Sequence, residues 1–418
     1  MNRYINYSTS FENAGTAREI ELEKKLITPE YQLYQEDHTR MQKHLPVKSI
    51  LASNYLCKAE PFVSSLISPE KFKDILSVAK NFPGNLTSFL GFEIHLGDAR
   101  QRADWAFAVS GAGDDRIVFE NVLKQGNFPK SLIQQPEWQQ IAAFSEAWTK
   151  RDSSLKKKVK CFWLEFDMPE AKSDVSIPSV FFGPEKPSED ALQDSMTHQY
   201  AWLVNDALPL LRGRPLSNGV ERQILNCIEK IPQGASLFQV GTMLSRSTND
   251  VRLYINKIHG RRIIPYLNAL GWSDAENNFR TLIADVELRA DRFVLSFDVT
   301  PDGIGPRIGL ECSFEENRYH EETRWESLFE YLVKKGMCLP QKRDALLQYP
   351  GVEHPDDFSG GIMKPFVSVS QHLDDIFSGS LVRYISHVKV VYLPGRLLEA
   401  KAYPAVRLFE PSDTILYK

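Results

Sequence analysis

From about residue 88 onward the chain repeatedly alternates apolar and polar residues with a period of two, in paired short runs joined by a polar or Gly/Pro-containing turn. The pairs fall at Phe89–Val109, Cys161–Phe182, Ser236–Ile255, Phe293–Phe314 and His387–Val406. Period two with a tight turn predicts a β-hairpin at each. Apolar residues at helical spacing follow: around Asn121–Lys124, then Glu137–Thr149, Glu189–Leu211, Gly219–Ile231, Arg261–Leu270, Asp274–Arg289, Thr323–Lys335 and Gln341–Tyr349. Ahead of the first hairpin, residues 1–15 read as a polar tail, Thr16 to about His44 as charged and helix-prone, and Val47–Val78 as further helix interrupted near Pro61 and Pro69.

Five hairpins offer ten antiparallel strands. A sheet of that size with helices after nearly every hairpin is most simply satisfied by closing on itself, since closure removes both exposed edges. The expectation is an α+β protein: a ten-stranded antiparallel barrel of five ββαα units ringed by helices, with 1–87 as tail and helical lead-in and 88–418 as the barrel domain. A dinucleotide-type parallel sheet is disfavoured, because hairpins are antiparallel and no Gly-rich phosphate loop follows the first strand.

Alternation then sorts side chains by face. Phe92, Ile94 and Leu96 oppose Glu93 and His95; Trp105 and Phe107 oppose Asp104 and Ala106; Phe162, Leu164 and Phe166 oppose Glu165 and Asp167. Val251, Leu253 and Ile255 oppose Arg252 and Tyr254; Phe297 opposes Asp298; Ile308, Leu310 and Cys312 oppose Arg307 and Glu311; Ala400 and Ala402 oppose Lys401 and Tyr403. If the apolar face meets the helices, the polar face lines the lumen, and the lumen is ionisable. The same alternation also fits a sandwich whose polar faces meet solvent.

Composition narrows the function without naming it. With 50 Lys+Arg against 54 Asp+Glu and 42% hydrophobic residues, the chain has an ordinary globular balance, which argues against a basic nucleic-acid binder. Five scattered cysteines without a C-x-x-C pair suggest a reducing compartment, hence a cytoplasmic protein, and no zinc site. No apolar run is long enough for a membrane span. Signatures of hydrolases, zinc proteases, NTPases and kinases are missing.

Ten strands from five ββαα units, with Arg252-x-Tyr254 and Lys401-x-Tyr403 on second strands, GDARQRADWAF carrying Asp104, and DDRIVFENV carrying Arg116, resemble the ABBA (PT-barrel) aromatic and indole prenyltransferases. The resemblance spans about Ser88 to Val406. It implies an enzyme moving an allylic prenyl group from a diphosphate donor to an aromatic or peptide acceptor in natural-product biosynthesis. On that basis Asp104, with His95 nearby, is the catalytic candidate; Arg116, Arg252, Arg307 and Lys401 would hold the diphosphate; and Tyr254 and Tyr403 would shield the allyl cation. The physical match is that a diphosphate leaving group needs cationic donors and an allylic cation needs π faces. Ser179 and Phe181 stand where a Lys-x-Tyr pair is expected, and Glu311 follows Arg307 where a fuller cationic set would sit.

Glu93, Glu165, Asp167, Asp298 and Glu311 make this predicted lumen acidic. Like charges at about 4 Å cost about 4 kcal/mol at an effective dielectric of 20. Magnesium with the diphosphate, a cationic substrate, or a different chemistry each relieves that cost. The competing readings are therefore a tailoring enzyme of the same fold and a non-catalytic protein that captures a cationic ligand. A monomer or weak dimer is expected. The Pro/Gly-rich stretch Tyr349–Phe366 reads as a candidate lid, and Lys156–Lys160 as a solvated lead-in to a strand.

Overall fold

In a computed structural model of the chain, the described residues are 51–409 with the exception of 87–88, 112–113, 125–127, 169–176, 187–194, 247–249, 275–277, 316–317, 354–379 and 395–398. The tail, the Thr16–His44 segment and most of the candidate lid lie outside them. So does the start of the Glu189–Leu211 stretch.

The strands are β1 (Leu90–His95), β2 (Ala103–Ser110), β3 (Val159–Phe166), β4 (Ser179–Pro184), β5 (Ser236–Thr242), β6 (Val251–Asn256), β7 (Arg292–Thr300), β8 (Gly303–Ser313), β9 (Gly351–Glu353), β10 (Ser380–Tyr392) and β11 (Glu399–Phe409). Ten of them pair antiparallel in sequence order from β1 through β8 to β10 and β11, and β11 then pairs with β1, so the sheet closes into a barrel. The seam is in register from Leu90 opposite Val406 to His95 opposite Lys401. This is the PT-barrel architecture, and the closed ring removes the sandwich alternative. Short β9 adds to β10 beyond the end of β8. β10 starts earlier than the alternation predicts because a bulge between Ile385 and His387 breaks its period.

Helix pairs return each hairpin to the next: Asp115–Lys124 with Pro136–Thr149, Met196–Arg212 with Asn218–Glu229, Gly260–Ala269 with Asn278–Glu287, and Trp325–Lys334 with Pro340–Gln348. Helices Ala52–Val63 and Pro69–Ala79 lie beside β11 and β2. The second of these starts at Ser68, whose hydroxyl accepts from the Lys71 amide, with Pro69 at the first helical position. Phe82 links this segment to the sheet, with its ring 4.7 Å from Phe107 and 6.2 Å from Trp105. The core therefore lies between the outer strand face and the helical coat, where Trp105, Phe107, Phe162, Leu164, Phe166, Leu253 and Leu310 are fully buried. Among the described residues no helix is long and apolar enough to cross a membrane.

Candidate functional site

With the apolar strand positions committed to the coat, the alternate positions face inward. β1 and β11, joined at the seam, supply the first cluster. Lys401 and Tyr403, two residues apart on β11, both donate to the buried carboxylate of Glu93 on β1, Tyr403 at 2.5 Å. Burial alone would raise the Glu93 pKa, but Lys401 and Tyr403 outweigh it and hold the carboxyl at about 2. Tyr403 also stacks on His387 of β10 with ring centroids 4.0 Å apart.

The second cluster spans β6, β7, β8 and β10. Arg252 forms a two-pronged pair with Asp298 at 2.7 and 3.0 Å. Lys389 on β10 lies 3.3 Å from Glu311 and 3.1 Å from the Tyr254 hydroxyl, and 4.7 Å from the centre of the Tyr254 ring. Its stem occupies the space that Gly309 leaves: a Cβ there would fall 2.7 Å from Cε of Lys389. Burial opposes the Lys389 charge, but Tyr254 and Glu311 beside it raise its pKa, so the ammonium persists.

A third group lines the end of the barrel where the hairpin turns sit. The Nδ1 of His95 is 2.9 Å from Glu399, and its Nε2 lies 3.9 Å from both Glu93 and Asp104. Burial lowers the His95 pKa, yet the hydrogen bonds to Asp104 and Glu399 raise it on balance. Asp104 accepts the Met168 amide at 2.7 Å. Arg307 pairs with Glu399 at 2.8 Å, half-exposed at the rim. Asp167 takes Arg246 in a forked pair at 2.9 and 3.0 Å.

Most of the residues singled out by the sequence thus meet in the lumen or at its rim. Arg116 does not: it sits on helix Asp115–Lys124 and donates to the Lys156 carbonyl at 3.3 Å, outside the strand wall. Sequence reasoning passed over Lys389, His387, Glu399 and Arg246. Lys389 and His387 carried a usable signal, since they alternate with Val388 and Val390 on one strand.

Nor is the lumen uniformly polar. Phe181, Met243, Tyr254 and Val294 form one inner apolar cluster, and Phe89, Ala108, Val382, Tyr384 and Ala405 another, with Trp163 packed against both. Phe181 fits because its neighbour across the strands is Gly241, where a Cβ would come within 2.2 Å of the ring.

Glu93, His95 and Asp104 bring three ligand-type atoms within 4.8 Å of one another. The set does not fit a resident Mg²⁺. That ion wants oxygen donors, whereas one of the three is an imidazole and both Glu93 oxygens are already taken by Lys401 and Tyr403.

No family model matches the chain, and no curated protein does. Among solved structures it is similar to the prenyltransferase PriB in its apo form (TM-score 0.47, 10% identity, 84% of this chain and 95% of that one). It is also similar to AnaPT from Neosartorya fischeri (0.49, 12%, 88% and 96%) and to 5-dimethylallyltryptophan synthase from Streptomyces coelicolor (0.46, 10%, 85% and 97%).

Proposed function

We propose that the barrel is a prenyltransferase that takes its donor as the magnesium complex of an allylic diphosphate and its acceptor as an aromatic compound. One observation carries this reading: Arg252, Lys389 and Lys401 face the lumen from β6, β10 and β11, with Lys389 against the Tyr254 ring and Lys401 sharing Glu93 with Tyr403. In this reaction the allylic C–O bond breaks and the diphosphate leaves with its electron pair. Arg252, Lys389 and Lys401 offset the charge that develops on the leaving oxygens, while Tyr254, Tyr403 and the neighbouring rings give the allylic cation π faces and exclude water. The acceptor carbon then forms the new bond and releases a proton. Asp104, whose second oxygen faces His95, is the group we assign to receive it.

A second reading has its own observation. Each of these cations already has a carboxylate of this chain as partner, so a bare diphosphate would have to displace Asp298, Glu311 and Glu93. A protein that only captures a cationic ligand would need no such displacement. Titration calorimetry with dimethylallyl, geranyl and farnesyl diphosphates, with and without Mg²⁺, separates the two. Magnesium-dependent binding followed by product formation with an aromatic acceptor supports transfer; no diphosphate binding under either condition overturns it.

A further inference from the structure

Most of the acidic groups that face the lumen have a partner from this chain beside them. Glu93 is matched by Lys401, Asp298 by Arg252, Glu311 by Lys389, Asp167 by Arg246, and Glu399 by His95 and Arg307. Asp104 is satisfied by the Met168 amide and faces His95. Glu165, on the inner face of β3, has neither an ion pair nor a hydrogen bond among the described residues. Its cross-strand neighbours are the small Ala106 on β2 and Ser179 on β4, which leave room beside its carboxyl. The surrounding wall is aromatic, with Trp163 two residues back and Phe181 two residues on from Ser179.

We infer that Glu165 is the binding group for a single positive charge on the acceptor, so that the acceptor class is an aromatic compound bearing an ammonium or similar cation. A ligand cation gives the Glu165 carboxylate the partner it lacks, and the adjacent rings take the ligand's aromatic part. The assignment rests on the lumen being the ligand site, which both functional readings share. Until a cation arrives, a proton fills the role: burial first, then the charges of Glu93 and Asp167, push the Glu165 carboxyl up to about 8. Lys401 and Lys389 act in the opposite direction. Arg246, Arg252, Tyr254 and Tyr403 also feel its charge. Binding of an ammonium ligand therefore ionises Glu165 and expels its proton.

The test omits the prenyl donor. Tryptamine and tyramine are titrated against their neutral isosteres 3-propylindole and 4-propylphenol and the anionic indole-3-propionate, at pH 7 in two buffers of different ionisation enthalpy. The expected result is that at least one amine binds at least about tenfold more tightly than its isostere and releases about one proton. Glu165→Gln, similar in shape, should erase that preference and the proton release while leaving the neutral isosteres unchanged; thermal melting confirms that the variant is folded. The inference is overturned if no amine outbinds its isostere, or if the preference survives Glu165→Gln. An amine preference without prenyl turnover overturns only the transferase reading, and turnover on neutral acceptors without that preference overturns only this one.

Discussion

The two faces of the same ten strands are built on opposite principles. Outward, Trp105, Phe107 and Phe166 stack on one another and meet Phe82 and Trp138 of the coat, with centroid separations from 4.7 to 6.4 Å. Inward, the strands carry ion pairs that cross from one strand to another, such as Arg252 with Asp298 and Lys401 with Glu93. The outer face owes its stability to apolar area, which is non-directional. The inner face holds its charges only because each finds a partner at a fixed register, and pairs of this kind add little net stability because desolvation offsets attraction. The outer layer therefore holds the barrel together, and the inner layer is tolerated for what it does.

The sharpest way to break this contrast is Trp105→Ala. It should cost about 3–5 kcal/mol in urea unfolding, in the range of large-to-small core changes; a loss below about 1 kcal/mol would move the stabilising layer elsewhere. Next comes Lys401→Met, which strips Glu93 of its cation and should cost about 3 kcal/mol. The double variant Glu93→Leu with Lys401→Met should recover most of that loss. No recovery would mean that the inner pair stabilises outright.

A third test uses pH. Glu93 and Glu399 have folded pKa values of about 2, below the value near 4.3 expected for an unfolded Glu. Their contribution is present above that unfolded value and is lost as pH falls from about 4 towards 2. Glu165 behaves in reverse: with its folded pKa raised to about 8, its contribution is complete below the unfolded value and is lost as pH rises towards 8. The melting temperature should fall on both limbs, and Glu165→Gln should flatten the upper one. An unchanged upper limb would place the titration on another group. The smallest effect belongs to Arg307→Gln. Arg307 and Glu399 are 49% and 36% exposed, so stability should change by less than about 1 kcal/mol.

Much of this could be read from the sequence, for reasons visible in particular residues. Strand alternation placed Glu93, Glu165, Arg252 and Tyr254 on one face, and the first turn brought Glu93 opposite Asp104. Partners drawn from distant strands could not be read, because their register depends on how the ring closes. That Lys401 meets Glu93, or Lys389 meets Tyr254, follows from pairings hundreds or more than a hundred positions apart. The bulge at Ile385/His387 puts Tyr384 and His387 on the same face at odd spacing, which no period-two reading can give. The inner aromatic clusters escaped for a related reason. Phe181 can point inward only where Gly241 leaves space, and that complementarity joins two hairpins. Arg116 shows the converse: a motif can match while its helix lies outside the wall.

The seam between β1 and β11 has a consequence for biogenesis. As a ribosome releases the chain, four hairpins can assemble while β1 waits with an open edge for a strand emerging some three hundred residues later. Contacts of such long sequence separation make for slow closure and a period of exposure to aggregation and proteolysis. Because Glu93, Lys401 and Tyr403 meet only across that seam, a chain stalled before β11 would lack both a finished wall and a finished chamber. Emergence of β11 and competence for ligand thus arrive in one event.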